Sequence, residues 1–395
     1  MKPRTLIATL LAPVLVTGAA FATTTSVRAA TPYTFTWINN ITGAAGTTQK
    51  IPLIMLRAYI SKVNAGGGVN GRPIVLQERD IAGDTPKLLV EVRRAAGDES
   101  VLAVLGLGLS GQIEAAVPLL SQLKMTGISN PATAPTATSS YYYSLGLSFA
   151  GSGRAAGKFL AQQGSGLKIG VIGFDSPGLR ASADGMKSVV EKSGGKVVAA
   201  EFVPQSATDA SASMNVILTQ KPDWIVVSGA LDALSKSILD YLKLHAAENI
   251  PLLWINNGCS SQLMARANRE NFFATCHVAA PSAANASIAG VSEMRKIALE
   301  FGGEDALNGA DDSFTGYGYA MGLTLVDALK QCGDSCDREK FKTALQTVKL
   351  DLAPMMTKVD FSTPSHLAFL QSVVLKWNVK QQRQERASEW LSLSE

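Results

Sequence analysis

The alternation of short apolar runs with longer amphipathic stretches is the feature that most constrains the fold of this chain. Apolar runs such as 101–106, 167–173 and 223–229 are typical of strands, and a helical stretch separates each run from the next. Strictly alternating strands and helices form parallel sheets that carry helices on both faces. The alternation forms two series, interrupted near 141–153. The sequence therefore predicts an α/β protein with two doubly wound domains.

The N-terminus has the pattern of a secretory signal peptide. Basic residues precede an apolar run at about 6–16, and small residues follow it. This order is typical of export signals, and the run is too short for a membrane-spanning helix. Residues 1–29 are therefore predicted to be a signal peptide, with cleavage after Ala22 or Ala29, and the mature chain is expected to be exported and soluble.

The charge balance gives no indication of a nucleic-acid partner. The formal net charge is +4, and the leader contributes Lys2, Arg4 and Arg28 without any acidic residue. Removing these three charges leaves the mature chain at +1. A chain so close to neutral offers no extended basic field to a polyanion. We therefore expect a small-molecule partner and no nucleic acid.

Four cysteines in the C-terminal half indicate disulfide bonds. They are Cys259, Cys276, Cys332 and Cys336. An even number of cysteines in an exported chain favours disulfides, with four buried thiols as the alternative. A metal site is less consistent, because the C-x3-C spacing has no second close pair and the chain has only three histidines. We expect Cys332 to bond with Cys336 across a turn, and Cys259 with Cys276.

The first of two G-x-G-x-x-G matches is predicted to be structural. Gly66, Gly68 and Gly71 follow a helix that ends at Asn64 and precede a strand that begins at Pro73. A dinucleotide fingerprint has the reverse order, because the helix must follow the glycines to direct its N-terminus at the pyrophosphate. These glycines are therefore expected to end a helix and turn the chain.

The second match is a candidate ligand site but not a cofactor site. Gly106, Gly108 and Gly111 lie between a strand and a helix, yet no acidic residue follows about 20 positions on to hold a ribose. No cofactor is therefore expected. The glycines would let a ligand approach the backbone, and Ser110 with the first helical amides would face an anion. A plain strand-to-helix turn is the alternative.

The sequence contains no recognisable catalytic constellation. Ser121 to Lys124 and Ser165 to Lys168 match S-x-x-K, but the partner motifs S-D-N and K-T-G are absent. The histidines have no metal-ligand spacing, and there is no G-x-S-x-G elbow. The sequence therefore predicts neither an enzyme nor a metal site, and an exported α/β enzyme remains the less favoured alternative.

Three stretches resemble type I periplasmic solute-binding proteins of the branched-chain amino-acid group. They are AYISKVNAGGGVNGRPIVLQERD, VLAVLGLGLSGQIEAAVPLLSQLKMTGISNPATAP and SFTGYGYAMGLTLVDALKQ. The resemblance covers nearly the whole mature chain. It implies a monomeric periplasmic receptor that delivers a small carboxylate-bearing solute to the permease subunits of an ABC transporter. A ligand sensor of the same fold, unlinked to transport, is the alternative.

The resemblance also implies a domain organisation. Two doubly wound lobes would be joined by a three-crossover hinge, with a ligand between them at the carboxyl ends of the strands. Residues 30–147 plus 280–352 would form the first lobe, and 148–279 plus 353–395 the second. Closure of the lobes would exclude water and complete the ligand contacts.

The ligand-contact positions of the first lobe keep the chemistry of the family. By resemblance, the carboxylate-binding serine falls on Ser110. Its partner threonine falls on Thr133, with the Ala132 backbone beside it. The position after the first strand falls on Thr48. The resemblance therefore implies a carboxylate site in this lobe.

The ligand-contact positions of the second lobe depart from the family. Two ring-bearing positions fall on Pro177 and near Ala230, and the glutamate that would neutralise a ligand ammonium falls on Asn256 or Asn257. A buried ammonium without a carboxylate partner is costly. The sequence therefore favours an organic acid with an apolar or aromatic body over an α-amino acid, unless Asp175 or Asp232 reaches the ammonium.

Overall fold

The computed structural model of the chain describes residues 31–130, 139–146, 148–255, 257–278, 287–309, 312 and 314–394, without the side chains of 257 and 307–309. The predicted signal peptide at 1–29 lies outside the described residues. No described helix is both long enough and apolar enough to cross a bilayer.

Strands and helices alternate along most of the chain, as the sequence predicts. In chain order the strands are β1 (Tyr33–Asn39), β2 (Ile74–Asp80), β3 (Val101–Gly106), β4 (Thr126–Ser129), β5 (Tyr142–Ser144), β6 (Lys168–Phe174), β7 (Lys196–Val203), β8 (Trp224–Ser228), β9 (Leu252–Ile255), β10 (Phe272–Cys276), β11 (Lys349–Leu350), β12 (Val359–Asp360), β13 (Gln371–Asn378), β14 (Arg383–Arg386) and β15 (Leu391–Ser392). The α-helices are α1 (Gly46–Ala65), α2 (Thr85–Gly97), α3 (Ser110–Leu123), α4 (Phe149–Gln163), α5 (Pro177–Lys192), α6 (Ser211–Thr219), α7 (Asp232–Leu244), α8 (Ser261–Ala267), α9 (Ala289–Phe301), α10 (Gly303–Gly309), α11 (Thr315–Cys332) and α12 (Arg338–Leu345).

Two sheets with the same order of parallel strands form the bases of two lobes. Lobe 1 has the order β2-β1-β3-β4-β5, and helices α9 to α12 pack against α1, against β3 or against one another. Lobe 2 has the order β7-β6-β8-β9-β10, extended by the antiparallel strands β13 and β14. This order is that of a doubly wound sheet, which confirms the predicted fold class.

Counted over the described elements, the chain passes between the two sheets three times. The passages lie between β5 and β6, between β10 and α9, and between β12 and β13. The predicted lobe boundary between residues 352 and 353 falls inside the antiparallel pair of β11 and β12. The boundaries between the lobes remain predictions.

Strand β1 shows why the sheet of lobe 1 forms at its position in the sequence. All of its residues are buried, although threonines alternate with aromatic residues along it. A central parallel strand is covered by helices on both faces, so both sides of the strand must tolerate burial. Phe35 contacts Phe341 of α12 edge to face, with ring centroids 5.2 Å apart, and this contact secures the C-terminal helices on the sheet.

Both predicted disulfides are present. Cys259 bonds with Cys276, which joins the 3-10 helix at Asn257–Cys259 to the end of β10. Cys332 bonds with Cys336 across the turn between α11 and α12. The pairing prediction is therefore confirmed by the structure.

The first glycine-rich loop turns the chain from α1 into β2, as predicted. Val69 and Arg72 exchange backbone hydrogen bonds of 2.9 Å in each direction. Gly68 has a φ of +79°, and a Cβ atom at this position would lie 2.1 Å from the carbonyl oxygen of Arg72. Only glycine fits this turn without a backbone shift.

Candidate functional site

A cleft of about 570 Å³ lies between the two lobes. This volume is within the range of pockets that enclose small organic ligands. Residues at or just after the carboxyl ends of strands from both sheets form much of the wall. They are Asn39 and Asn40 after β1, Gly106 and Gly108 after β3, Ser129 and Asn130 after β4, Phe174 at the end of β6, and Gly229, Ala230 and Leu231 after β8.

Strand order explains why the cleft lies at this position. In each lobe the second strand pairs on one side of the first strand, and the third strand pairs on the other side of that first strand. The connections after β1 and β3 therefore diverge, as do those after β6 and β8. Such a switch point opens a crevice at the carboxyl ends of the strands, and the two crevices face a common space here.

A hydrogen-bond network holds the polar wall of lobe 1 in shape. The Gln112 Oε1 atom accepts from Asn40 Nδ2 at 3.0 Å and from the Leu109 amide at 2.9 Å. The Asn40 Oδ1 atom accepts from the Gly83 amide at 2.7 Å. These bonds connect the ends of β1 and β3 to the start of α3. The loop that carries Ser110 is therefore preorganised before any ligand binds.

Four helices begin at the cleft without a side-chain cap. The N-cap residues of α1, α3, α7 and α11 make no side-chain cap hydrogen bond, and all four of them line the cleft. These residues are Ala45, Leu109, Leu231 and Phe314. Helix N-termini carry partial positive charge and unpaired amides. Their convergence makes the cleft attractive to an anion.

Other helices have side-chain caps, although α2 and α4 also begin with residues that line the cleft, and α6 and α9 begin elsewhere without a cap. Side chains cap α2, α4, α5, α8 and α12, and none of these capping residues lines the cleft. The capping residues are Asp84, Ser148, Ser176, Ser260 and Asp337. A side-chain cap satisfies the first amides of a helix and stabilises it. The absence of side-chain caps on α1, α3 and α7 therefore leaves the first amides of these helices available to a ligand, whereas Asp312 accepts from the Phe314 amide at the start of α11.

The described lining of the cleft contains no charged side chain. None of its residues is Asp, Glu, Lys, Arg or His. Positive potential in this wall therefore comes from backbone amides and helix dipoles. The lining also contains no described carboxylate that could pair with an ammonium group.

Lobe 2 contributes a mainly apolar wall. Phe149, Phe174 and Leu179 belong to its buried core and reach the cleft at the starts of α4 and α5 and the end of β6. Phe314 and Tyr317 extend the aromatic surface from the start of α11. Burial raises the pKa of the Tyr317 hydroxyl, so this group stays protonated and neutral. Gln205 and Ser206 add polar atoms from lobe 2.

Three of the predicted ligand residues line the cleft. They are Thr48 at the start of α1, Ser110 at the start of α3, and Ala230 after β8. The Ser110 hydroxyl makes no hydrogen bond to the described residues, and only 8% of the residue is exposed. Ala132, Thr133 and Asn256 lie outside the described residues, and only the backbone of Asn257 is described, within the 3-10 helix.

Asp175 lies beside an arginine, and its role toward a ligand stays a prediction. It was expected as a partner for a ligand ammonium, but it is not part of the described cleft lining. Its carboxylate accepts a hydrogen bond of 2.6 Å from Arg180 Nε, and this bond lowers the pKa of Asp175. Asp232 begins α7 and lies 3.8 Å from Arg266. Each acid therefore has an arginine partner outside the cleft wall.

Several cleft residues were not identified from the sequence. Gln112 and Tyr317 lie in stretches that carry the family resemblance, so the resemblance indicated these segments without identifying the two side chains. Phe149 and Gln205 had no sequence signal, because only the packing of distant elements brings them to the cleft.

A family model described as periplasmic binding protein matches residues 16–383 of the chain. No curated protein sequence gives a significant match. Similar solved structures include a fatty acid ABC transporter substrate-binding protein from Thermomonospora curvata, with 21% identity and a TM-score of 0.79 over 91% of this chain and 92% of that chain.

Two further solved structures have comparable similarity. One is a branched chain amino acid ABC transporter from Thermus thermophilus with bound valine, at 16% identity and a TM-score of 0.79 over 92% of this chain and 97% of that chain. The other is a solute binding protein of an ABC transporter from Rhodopseudomonas palustris HaA2 in complex with p-hydroxybenzoic acid, also at 16% identity and 0.79, over 92% and 98%. At these identities the similarity establishes the two-lobed fold.

Proposed function

The chain belongs to the periplasmic binding protein family, and we propose that it captures a small organic acid with an apolar or aromatic body for an ABC importer. Family membership confirms the prediction of a binding protein over an enzyme. The proposal includes export to the periplasm, removal of the signal peptide at 1–29, action as a monomer, and delivery of the solute to permease subunits.

The convergence of four uncapped helix N-termini on an uncharged cleft is the observation that carries this proposal. Backbone amides at the start of α3, together with Ser110, offer donors to a carboxylate without a cationic side chain. Hydrogen bonds to a charged acceptor are stronger than those between neutral groups. An anionic ligand group is therefore expected beside α3, with Thr48 and the predicted partners Ala132 and Thr133 nearby.

The apolar wall of lobe 2 sets the expected body of the ligand. Phe149, Phe174 and Leu179 offer a surface that an aromatic ring or aliphatic chain could cover. Among the similar solved structures, one is a fatty acid ABC transporter substrate-binding protein, one has bound valine, and one is in complex with p-hydroxybenzoic acid. Valine would need a partner for its ammonium, and no described lining residue supplies a carboxylate. Aromatic and aliphatic acids therefore fit the cleft better than valine.

Isothermal titration calorimetry with a matched ligand set tests the proposal. The set contains 4-hydroxybenzoate, benzoate, octanoate, 4-hydroxybenzamide, leucine and valine. We expect at least one of the three acids to bind at micromolar strength, and the amide and both amino acids to bind much more weakly. Binding of leucine or valine without binding of any acid would contradict the proposed ligand class.

Substitution of Ser110 tests the proposed carboxylate position. Ser110→Ala removes one hydrogen bond to a charged group, and we expect affinity for the acid to fall by roughly ten- to a hundredfold. Ser193→Ala, in the turn after α5 and outside the described cleft lining, is the matched control and should leave affinity unchanged. Equal affinities for both variants would place the carboxylate elsewhere.

A further inference from the structure

Two buried side-chain amides present unpaired donors to the polar wall of the cleft. Asn39 and Gln112 both line the cleft, and only 3% and 7% of them are exposed. The Asn39 Oδ1 atom accepts from the Asn40 amide at 2.8 Å, and the Gln112 Oε1 atom accepts from Asn40 and Leu109. These bonds fix which end of each side chain is the donor. Asn39 Nδ2 and Gln112 Nε2 make no hydrogen bond to the described residues.

The position of the Asn39 amide depends on a glycine in the neighbouring strand. Gly106 ends β3, and a Cβ atom at this residue would lie 2.9 Å from Asn39 Nδ2. The amide therefore occupies space that a side chain would fill. Gly106 also begins the loop that leads to Ser110 at the start of α3. Asn39, Ser110 and Gln112 thus belong to one patch of wall at the ends of β1 and β3.

This patch offers more donors than a simple carboxylate can accept. Each amide group carries two N–H bonds and the Ser110 hydroxyl carries one O–H bond, whereas a carboxylate has about four acceptor positions. The first backbone amides of α3 add to these donors. A buried donor that loses water without gaining a partner costs free energy. The ligand is therefore expected to bring a further acceptor beside its carboxylate.

The further group should accept hydrogen bonds without donating any. The side-chain carbonyl oxygens of Asn39, Asn40 and Gln112 already accept from donors of the protein. The described lining of the cleft also contains no carboxylate. A ketone oxygen only accepts, a hydroxyl group also donates, and an ammonium group only donates. An oxo group on the carbon next to the carboxylate therefore matches this patch best.

We propose that Asn39 and Gln112 are ligand-binding residues that make the cleft selective for 2-oxo acids, an inference that rests on the proposed function. Gln112 shares the first turn of α3 with Ser110, so its amide joins Ser110 at the carboxylate. Asn39 ends β1, beside the loop that leads into α3, and its amide donates to the oxo group. The body of the acid lies against the apolar wall of lobe 2.

Calorimetry with four matched ligands tests the selectivity. Benzoylformate, mandelate, phenylacetate and phenylglycine share a phenyl ring and a carboxylate, and carry an oxo group, a hydroxyl, no substituent and an ammonium on the carbon between them. We expect benzoylformate to bind about tenfold more tightly than phenylacetate, with mandelate between them and phenylglycine weakest. Equal affinities for benzoylformate and phenylacetate would overturn the 2-oxo selectivity but leave capture of organic acids intact. Absence of binding by every acid would refute the proposed function itself.

Asn39→Asp tests the contact with the oxo group at nearly constant shape. Aspartate keeps an oxygen for the Asn40 amide and replaces the NH2 donor with a second oxygen. We expect this variant to lose the preference for benzoylformate over phenylacetate, and to bind phenylglycine more tightly than wild type because its carboxylate can pair with the ammonium. Gln205→Glu adds the same charge to the lining from lobe 2 and should keep the wild-type preference. A preference retained in Asn39→Asp would overturn the role of Asn39, and a folding defect cannot imitate its loss, because the ratio of affinities does not depend on the folded fraction.

Gln112→Glu tests the contact with the carboxylate. Glutamate keeps an oxygen for Asn40 and Leu109, and it is favoured at this position of the first helical turn. We expect affinities for benzoylformate and phenylacetate to fall together by more than about tenfold, with their ratio unchanged. A normal thermal unfolding transition would exclude misfolding as the cause of this loss. Wild-type affinity for both acids would overturn the role of Gln112.

Discussion

The two walls of the cleft differ in chemistry. Lobe 1 presents amide and hydroxyl side chains, glycines and the uncapped start of α3, whereas lobe 2 presents mainly Phe149, Phe174, Leu179 and Ala230. A ligand that binds both walls should therefore have one polar, anionic end and one apolar body. The difference also separates two contributions to binding. In the proposed binding mode, hydrogen bonds from lobe 1 would select the acid group, and burial against lobe 2 would add affinity with less chemical selectivity.

The same contrast appears in the helix termini. The starts of α1, α3, α7 and α11 at the cleft lack side-chain caps, whereas α2 and α4, whose first residues also line the cleft, are capped by Asp84 and Ser148. A cap stabilises its helix by about 1 kcal/mol. The four helices without caps lack this stabilisation, and the start of α3 presents its first amides to the cleft. Four predictions test how far the two walls act separately, beginning with the largest expected effect.

A carboxylate placed in the polar wall should abolish binding of an acid. Ser110→Asp puts a negative charge at the start of α3, where it would interact with the same amides as the ligand carboxylate. We expect affinity for the acid to fall by more than about a hundredfold. Thermal stability should not fall, because an acidic side chain is favourable in the first turn of a helix.

Ser176→Asp is the control for this change. Ser176 caps α5 outside the cleft lining, and aspartate also serves as an N-cap. Calorimetry should find near-normal affinity for this variant. If both aspartate variants bound the acid normally, the anion would not lie at the start of α3.

The contact of Asp312 with Ser260 and Ser261 between the two lobes should make stability depend on pH. Asp312 has a folded-state pKa of about 6, against an ordinary value of 3.8. The folded state therefore binds the proton more tightly than the unfolded state. This contribution to stability is fully present below about pH 4 and is lost as the pH rises to about 6. The shift corresponds to roughly 3 kcal/mol.

Denaturant unfolding of wild type and Asp312→Asn between pH 4 and 7 measures this dependence. The free energy of unfolding of the wild type should fall relative to that of the variant as pH rises through this range. A constant difference between the two proteins across the range would mean that Asp312 does not titrate there.

A truncation in the apolar wall should weaken binding without changing its selectivity for acids. Phe174→Ala removes a ring from the end of β6, and we expect roughly a tenfold loss of affinity for 4-hydroxybenzoate. The ratio of affinities for the acid and 4-hydroxybenzamide should stay the same, because lobe 1 recognises the acid group. A changed ratio would show that the two walls are coupled.

A change far from both walls should alter stability alone. Gly68→Ala introduces a Cβ atom against the Arg72 carbonyl at a residue with positive φ. We expect a loss of about 1 kcal/mol or more in the free energy of unfolding. Affinity of the folded protein for the acid should remain normal. A large loss of affinity would connect this loop to the cleft.

Local sequence signals predicted the fold well. The alternation of apolar and amphipathic stretches predicted both doubly wound sheets. The start of α2 also has a local signature, because Asp84 accepts from the Lys87 amide at 2.8 Å and a proline follows in the first turn. The order of helix, glycines and strand identified the loop at Gly68 as a turn. These features depend on residues close in sequence, so they can be recognised before any tertiary contact is known.

The site was predicted only in part. Ser110 was identified because the glycines before it and the helix after it form one local motif. The hydrogen bond between Asp175 and Arg180 at the start of α5 had no sequence signal, and the role of Asp175 toward a ligand remains a prediction. Phe149 was missed because it reaches the cleft only when α4 packs on lobe 2.

By itself, the sequence determined the two α/β lobes, the turn at Gly68, the pairing of the cysteines and the polar start of α3. Tertiary structure alone decided which helix N-termini converge, which wall is apolar, and that Asp312 joins α11 to α8. The physical reason is one of range. Hydrophobic periodicity and turn chemistry act over a few neighbouring residues, whereas the cleft is assembled from strand ends that are distant in sequence and meet only when the two sheets fold.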